Sequence, residues 1–227
     1  MLSDQAVSER RPRRDRRRAR NRERLVQATV ELVSEHGTEA LTMAAIAKRA
    51  GLHHSGFYAH FPSVEACLEA SMRAVAEHQR ARDLERRAGV RESFPPDPEA
   101  DARQLAQSLR QMLEHRAFNL LLVRCRHEQS RIGQLAREQT ELAVREFSED
   151  LWRIAARSGV EVAAEHLHDF EHVARYILDA VLNTVIELAA RRDHDVDTVA
   201  RRLVRYHTAM VKAEIRRMLA AQRAPGA

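Results

Sequence analysis

The stretch GLHHSGFYAHF, from Gly51 to Phe61, decides the fold of this chain. It holds three histidines and three aromatic rings, although only 4% of the chain is aromatic. Gly51 predicts a turn, because glycine commonly follows the last residue of a helix. The segment MAAIAKRA before it and the segment from His53 after it are both typical of short helices. Two short helices joined by a tight turn predict a helix-turn-helix.

The flanks of this stretch predict two longer helices. Leu25, Ala28 and Leu32 recur at helical spacing and predict a first helix that ends at Gly37. Thr42 is a favourable N-cap for the second helix, and Ser63 is one for the fourth. We expect the fourth helix to run from Val64 to about residue 87 and to contain the boundary between two domains.

The composition favours an all-α protein. Of the 227 residues, 44% are hydrophobic, while only seven are glycine and six are proline. Cys67 and Cys125 lack CxxC spacing, so we expect two buried thiols in a reducing cytoplasm. We found no apolar run long enough to span a membrane, and no nucleophile arrangement or phosphate-binding glycine loop that would indicate an enzyme. The sequence therefore predicts a cytoplasmic, non-enzymatic helical protein without a cofactor and without a membrane partner.

The positive charge is concentrated at the N-terminus. Residues 1–24 contain ten arginines and four carboxylates, a balance of +6, whereas the whole chain carries +5. The remaining residues therefore sum to −1. We interpret residues 1–18 as a disordered, Arg-rich arm that contacts a polyanion.

The last two predicted helices are apolar on two faces. One stripe of the first runs through Phe170, Ala174 and Ile177, and a second lies beside it at Leu178, Leu182 and Ile186. A helix with two apolar faces needs two partners, which indicates either a homodimer or one large bundle. The residues that we assign to the dimer interface are Ile177, Val181, Val185, Leu188, Leu203, Met210, Val211 and Met218.

The segment TEALTMAAIAKRAGLHHSGFYAHFPSVEACL, from Thr38 to Leu68, resembles the N-terminal signature of TetR-type transcriptional regulators. The positions that match this signature are Gly37, Thr42, Ile46, Ala47, Ala50, Gly51, Phe57, Tyr58, His60, Phe61, Glu65 and Leu68. His53 departs from it, since Ser or Thr is usual there. Gly56 replaces a usual Thr or Ser, and Val64 a common Lys.

The resemblance implies an N-terminal three-helix, helix-turn-helix DNA-binding domain over residues 19–62. It also implies a C-terminal helical bundle over residues 63–227 for ligand binding and dimerisation, with two dimerisation helices. The expected partners are a double-stranded DNA operator, a second copy of the chain and an unidentified small-molecule effector. The implied DNA-binding residues are Arg17, Arg18, Arg20, Arg22, Thr42, Met43, His53, His54, Ser55, Gly56, Tyr58 and His60.

Within that set, the first residues of the recognition helix would face base edges, with His54 the best candidate for base reading. Tyr58 and His60 would contact phosphates, whereas Phe57 and Phe61 would belong to the core. For the effector, we expect a pocket lined by apolar and aromatic residues with one arginine. The candidate lining residues are Leu109, Met112, Leu113, Phe118, Leu122, Arg126, Phe147, Trp152 and Tyr176.

Two alternatives remain open from the sequence. The basic arm alone could make this a non-specific nucleic-acid or nucleoid-binding protein. A metal site at His168 and His172 is the second, because these residues are four apart on one helix. His53 and His54 do not suit one ion, since adjacent residues on a helix point about 100° apart.

Overall fold

The computed structural model describes residues 2–91, 97–161, 167–190 and 195–223, and these ranges contain no strand. The predicted all-α class is confirmed. The helices are α1 (Leu2–His36), α2 (Met43–Arg49), α3 (His54–Phe57), α4 (Val64–Arg91), α5 (Pro98–Glu114), α6 (Arg116–Cys125), α7 (Arg131–Arg157), α8 (Leu167–Ala190) and α9 (Val196–Arg223). A short 3₁₀ helix, Thr38–Ala40, lies between α1 and α2.

The chain divides into two compact units, Met1–His78 and Gln79–Ala227, and the division falls inside α4. The first half of α4 belongs to the N-terminal unit because its side chains complete that unit's core: Cys67 is fully buried there, and Val64 and Ala70 pack against the same cluster. The sequence predicted a second domain over residues 63–227. The first turns of α4 fall within that range but belong to the N-terminal unit in the structure.

The N-terminal end of α1 differs from the predicted disordered arm of residues 1–18. The structure begins α1 at Leu2 and continues it without a break to His36. The prediction rested on charge repulsion among arginines. Arginine is also a good helix former, and a helix that is already nucleated by its buried half extends at little cost.

Two core clusters lie among the described residues of the C-terminal unit. One joins α7, α8 and α9 and contains Val144, Phe170 and Ile215. The other joins α5, α8 and α9 and contains Leu109 and Val185. Helix α8 contributes to both clusters, which explains why its sequence is the most apolar of the long helices.

The corner between α6 and α7 depends on one glycine. Ser130 caps α7, and its Oγ accepts a hydrogen bond from the Gly133 N–H at 3.0 Å. A Cβ at Gly133 would lie 2.3 Å from the carbonyl oxygen of Glu128 and 2.6 Å from that of Cys125. Because both are backbone atoms, only glycine fits at this close approach.

Candidate nucleic-acid interface

The core of the N-terminal unit fixes the position of the two short helices. Ile46 and Ala47 of α2 and Phe57 of α3 pack with Leu25 and Leu32 of α1, and each of them is buried. Phe61 is only 3% exposed and lies in the same cluster. The prediction that Phe57 and Phe61 are core residues is therefore confirmed.

The turn between α2 and α3 ends α2 with a Schellman motif. The Leu52 N–H donates to the Ala47 carbonyl at 2.9 Å, and the Gly51 N–H donates to that of Lys48 at 3.1 Å. Gly51 has φ of +63°, a conformation that costs other residues about 1–2 kcal/mol. This glycine sets the path of the chain from α2 into α3.

Side chains cap the starts of three helices in this region. Thr42 Oγ1 accepts from the Ala45 N–H at 3.1 Å, and Ser63 Oγ accepts from the Ala66 N–H at 3.1 Å. Both predicted N-caps are confirmed. His53 caps α3 instead of the Ser or Thr usual in this position: its Nδ1 accepts from the Ser55 N–H at 3.4 Å and lies 3.0 Å from Ser55 Oγ.

Helix α3 presents a polar surface to solvent. The side chains of His53, His54 and Ser55 are exposed, and Tyr58 is 60% exposed, although its ring packs edge-on against Phe57. No heavy atom lies within 4 Å of a Cβ built on Gly56, so the backbone is open there. This surface can offer hydrogen-bond donors and acceptors to a partner at close range.

The arginines of α1 reach the C-terminal end of this surface. Arg18 Nη2 donates to the carbonyl of Ala59 at 3.4 Å, and the Arg22 guanidinium lies 4.7 Å from the centroid of the Phe61 ring. Arg17 and Arg20 are exposed. Five cationic side chains, at Arg14, Arg16, Arg17, Arg18 and Arg20, therefore stand on one exposed segment of α1.

His60 lies half-buried beside these arginines. Burial lowers the pKa of its imidazole, and the positive charges of Arg18 and Arg22 lower it further. Its Nδ1 is buried without a hydrogen-bond partner. Met43, by contrast, is half-buried and packs against the core of the unit.

Two basic residues near this surface were not among the sequence predictions. Lys48 is exposed on α2, and Arg24 places its guanidinium next to Gly51, where Nη2 lies 2.6 Å from the position that a Cβ would take. Arg24 belongs to the same basic run as Arg22, and this could have indicated that it lies near the helix-turn-helix. The fold brings it to the turn because α1 crosses there.

The predicted effector residues lie in several different environments. Leu109, Met112 and Leu113 lie in or against the α5–α8–α9 core, Phe147 packs against the other core, and Phe118 is 1% exposed. The remaining four are the half-buried Leu122, Arg126, which is paired with Asp179 at 2.6 Å, and the exposed Trp152 and Tyr176. Apolar periodicity cannot distinguish a core position from a pocket position, and most of these residues are core.

Most of the predicted dimer residues lie in the cores of this single chain. Ile177, Val181, Val185 and Leu188 are buried within this single chain, Met218 is 2% exposed, and Leu203 and Val211 pack against the cores. The predicted residues of α8 therefore form the inward one of its two apolar stripes. The other stripe is only half-buried, at Leu182, Ile186 and Ala189, as is Met210 on α9.

The remaining candidates are structural or solvent-exposed. Both cysteines are free and buried, as expected. The side chain of His168 is 82% exposed and pairs with Glu171 at 3.2 Å. Within the described ranges, no three His, Cys, Asp or Glu side chains are grouped so that they could hold a metal ion. No helix in those ranges has both the length and the hydropathy to cross a membrane.

Residues 25–71 match the model of the family described as bacterial regulatory proteins, tetR family. This match covers the helix-turn-helix and its core. Residues 25–71 thus form a TetR-type helix-turn-helix DNA-binding domain. No curated protein matches the sequence.

Solved structures of TetR-family and other transcriptional regulators share the fold over most of the chain. A transcriptional regulator from Rhodococcus sp. Rha1 is 19% identical, with a TM-score of 0.63 over 84% of this chain and 95% of its own. A TetR transcription regulator from Haloarcula marismortui is 20% identical, with a TM-score of 0.62 over 82% and 95%. FadR from Bacillus subtilis, in complex with stearoyl-CoA, is 14% identical, with a TM-score of 0.63 over 82% and 96%.

Proposed function

We propose that this protein is a dimeric, ligand-responsive repressor that binds an inverted-repeat operator and is released from it by a small apolar or amphipathic effector. The observation that carries the proposal is the exposed polar surface of α3. This helix is anchored to the core by the buried rings of Phe57 and Phe61, and the arginines of α1 lie beside it. A surface of this kind matches the major groove in size and chemistry.

In this proposal, base reading belongs to the start of α3. His54 is exposed and its imidazole can donate and accept. His53 is occupied by its capping interaction with Ser55, so it orients α3 and has less freedom to read a base. Gly56 lets the backbone approach the DNA or leaves room for a thymine methyl group.

Phosphate contacts would come from Tyr58, His60 and the arginines Arg17, Arg18, Arg20 and Arg22. The first turn of α2, capped by Thr42, offers free N–H groups to a phosphate on the other side of the groove. Such contacts position a protein on DNA without specifying sequence, and they make its affinity fall steeply with salt.

The dimer in this proposal uses the half-buried stripe of α8, at Leu182, Ile186 and Ala189, together with Met210 of α9. These apolar side chains retain exposed area in the single chain, and a two-fold contact would cover the same surface on both copies. Two recognition helices about 34 Å apart would then read the two halves of an inverted repeat.

The effector site belongs to the C-terminal unit, which α4 joins to the DNA-binding unit as one continuous helix. An effector lowers operator affinity only if it binds the non-DNA-binding arrangement more tightly. A structural neighbour, FadR from Bacillus subtilis, was solved with stearoyl-CoA, and this supports an amphipathic effector for the present chain.

The test begins with operator DNA selected from random sequence by the purified protein. We expect an inverted repeat, a 2:1 protein-to-DNA stoichiometry, and an affinity at least about 10³-fold above that for random DNA. A dimer-interface variant, Leu182→Glu, should be monomeric by light scattering, whereas the matched Asn183→Glu on the exposed face of α8 should stay dimeric.

A second candidate function rests on the five exposed arginines between Arg14 and Arg20. These could drive non-specific nucleic-acid binding without base reading. Equal affinity for selected and random DNA would favour this function and contradict the repressor.

A further inference from the structure

Long polar side chains join the second half of α4 to α5 and α7. Towards α7, Arg87 Nη1 donates to Asp150 Oδ2 at 3.0 Å, and Arg80 pairs with Glu146. Towards α5, Arg86 contacts Gln111 and Asp83 contacts Ser108. The contacts of α4 with α5 and α7 are therefore made in part by hydrogen-bonding side chains.

The α4–α5 contact centres on the Arg86 guanidinium. Its Nη1 donates to Gln111 Oε1 at 2.8 Å, and its Nη2 donates to Asp83 Oδ1. The same Asp83 oxygen accepts from Ser108 Oγ at 2.9 Å. Gln111 Oε1 and Asp83 Oδ1 are thus already in use.

Two donors at this contact have no acceptor. Gln111 is 3% exposed, yet its Nε2 has no hydrogen-bond partner, and neither has the buried Nε of Arg86. A buried donor without a partner destabilises the fold, because it has lost its hydrogen bonds to water. Gln79, seven residues before Arg86 and thus on the same face of α4, adds a third unpaired donor at its Nε2. The surplus calls for a group that only accepts hydrogen bonds.

Asp83 occupies the remaining edge of the guanidinium but is replaceable. The Asp83 side chain is 40% exposed, whereas that of Arg86 is 15% exposed. The carboxylate can therefore rotate towards the solvent while the guanidinium stays in place. Arg86 would then offer Nε and Nη2 together, the fork that binds carboxylate and phosphate groups.

We propose that the α4–α5 contact is the polar end of the effector site and that Arg86 Nε and Nη2, with Gln111 Nε2, bind an anionic oxygen group, a carboxylate or a phosphate, in exchange for Asp83. This inference rests on the proposed function, in which the C-terminal unit binds an effector. The apolar part of the ligand lies along the half-buried Leu105 and Met112, which flank Ser108 on the same stripe of α5.

The probes are octanoate, octyl phosphate and octanol, titrated calorimetrically into the full-length protein without DNA. All three probes have an eight-carbon chain, but only octanoate and octyl phosphate are anions. Comparing these two distinguishes a carboxylate site from a phosphate site. We expect at least one anion to bind at least about tenfold more tightly than octanol, because hydrogen bonds to charged groups are the stronger ones.

Two variants change the affinity for that anion in opposite directions. Gln111→Met removes the Nε2 donor, together with the Oε1 that accepts from Arg86, at about constant length and should weaken binding about tenfold. Asp83→Asn removes the competing carboxylate and should tighten it. The matched control is Arg103→Gln, also on α5, whose side chain is 67% exposed and which should change nothing. A gain of affinity in Asp83→Asn cannot come from misfolding.

Three results would overturn the proposal and assign the surplus donors to water. They are equal affinity for octanol and both anions, no binding of any of the three probes, and unchanged anion affinity in both Gln111→Met and Asp83→Asn. Operator affinity is measured separately, so these results leave the DNA-binding function untouched. If the anion binds as described but does not release operator DNA, the site stands and the ligand-responsive part of the proposed function fails.

Discussion

The guanidinium of Arg22 lies 4.7 Å from the centroid of the Phe61 ring. Phe61 is buried in the core that carries α3, and Arg22 belongs to the basic run of α1. The contact therefore links the run that supplies positive charge to the core that positions the recognition helix. It also keeps Arg22 close enough to His60 to lower the pKa of that imidazole.

From this link we predict that Arg22→Gln weakens operator binding and reduces stability. The stability loss should be about 0.5–1 kcal/mol for an exposed cation–aromatic contact. The slope of log affinity against log salt should become shallower by about one unit if Arg22 also contacts a phosphate. Denaturant titration and salt-dependent gel shifts measure the two effects. In Arg103→Gln, in the other unit, neither quantity should change.

His54→Ala should cost about 1–3 kcal/mol at one operator position and relax specificity there. The reason is that an exposed imidazole at the start of α3 can form hydrogen bonds to a base edge, which alanine cannot. Affinities for a set of single-base operator variants measure this. Tyr58→Phe is the comparison, because loss of a phosphate contact weakens every sequence equally. A uniform loss in His54→Ala would show that this residue only touches the backbone of the DNA.

Gly133→Ala and Gly56→Ala should have opposite effects on stability. At Gly133 the new Cβ would meet two backbone oxygens at 2.3 and 2.6 Å, so we expect a loss of about 1–3 kcal/mol or more. At Gly56 nothing lies within 4 Å, and alanine in a helix should stabilise by about 0.5–1 kcal/mol. Urea unfolding of both variants tests this, and equal effects would refute the steric account of the α6–α7 corner.

Stability should fall as the pH drops below about 6.5, the usual imidazole pKa. The pKa of His60 is lowered in the folded protein by burial and by Arg18 and Arg22, and burial lowers that of His207. Between the folded and unfolded pKa values the unfolded chain binds more protons, so acid favours unfolding. The contribution of these two histidines to stability is fully present above their unfolded-state pKa and is lost as the pH falls through their folded-state pKa.

The measurement is the urea midpoint between pH 5 and pH 8 for the parent protein and for His60→Gln. The variant should lose part of the pH dependence. His168→Gln serves as the control, because the His168 side chain is 82% exposed. An unchanged pH profile in His60→Gln would contradict the role of His60.

The sequence by itself determined the helix-turn-helix of the N-terminal unit. Thr42, Gly51 and Ser63 act through local backbone geometry, as caps and a turn, and such effects depend only on near neighbours in the chain. The apolar spacing around Leu25 and Ile46 likewise predicted which side chains form the core. The family signature falls on these same residues for that reason.

Only the tertiary structure decided the remaining features. Which apolar stripe of α8 faces inward depends on how α5, α7 and α9 pack, and periodicity is the same for both stripes. The helical state of residues 2–18 also depends on continuation from the buried half of α1.

The pairing of Arg86 with Gln111, like that of Asp83 with Ser108, joins residues 25 positions apart, and nothing in the local sequence of either helix marks it. Short segments of sequence determine local backbone geometry, such as caps and turns. Which side chains pair between two helices depends on how the whole molecule packs.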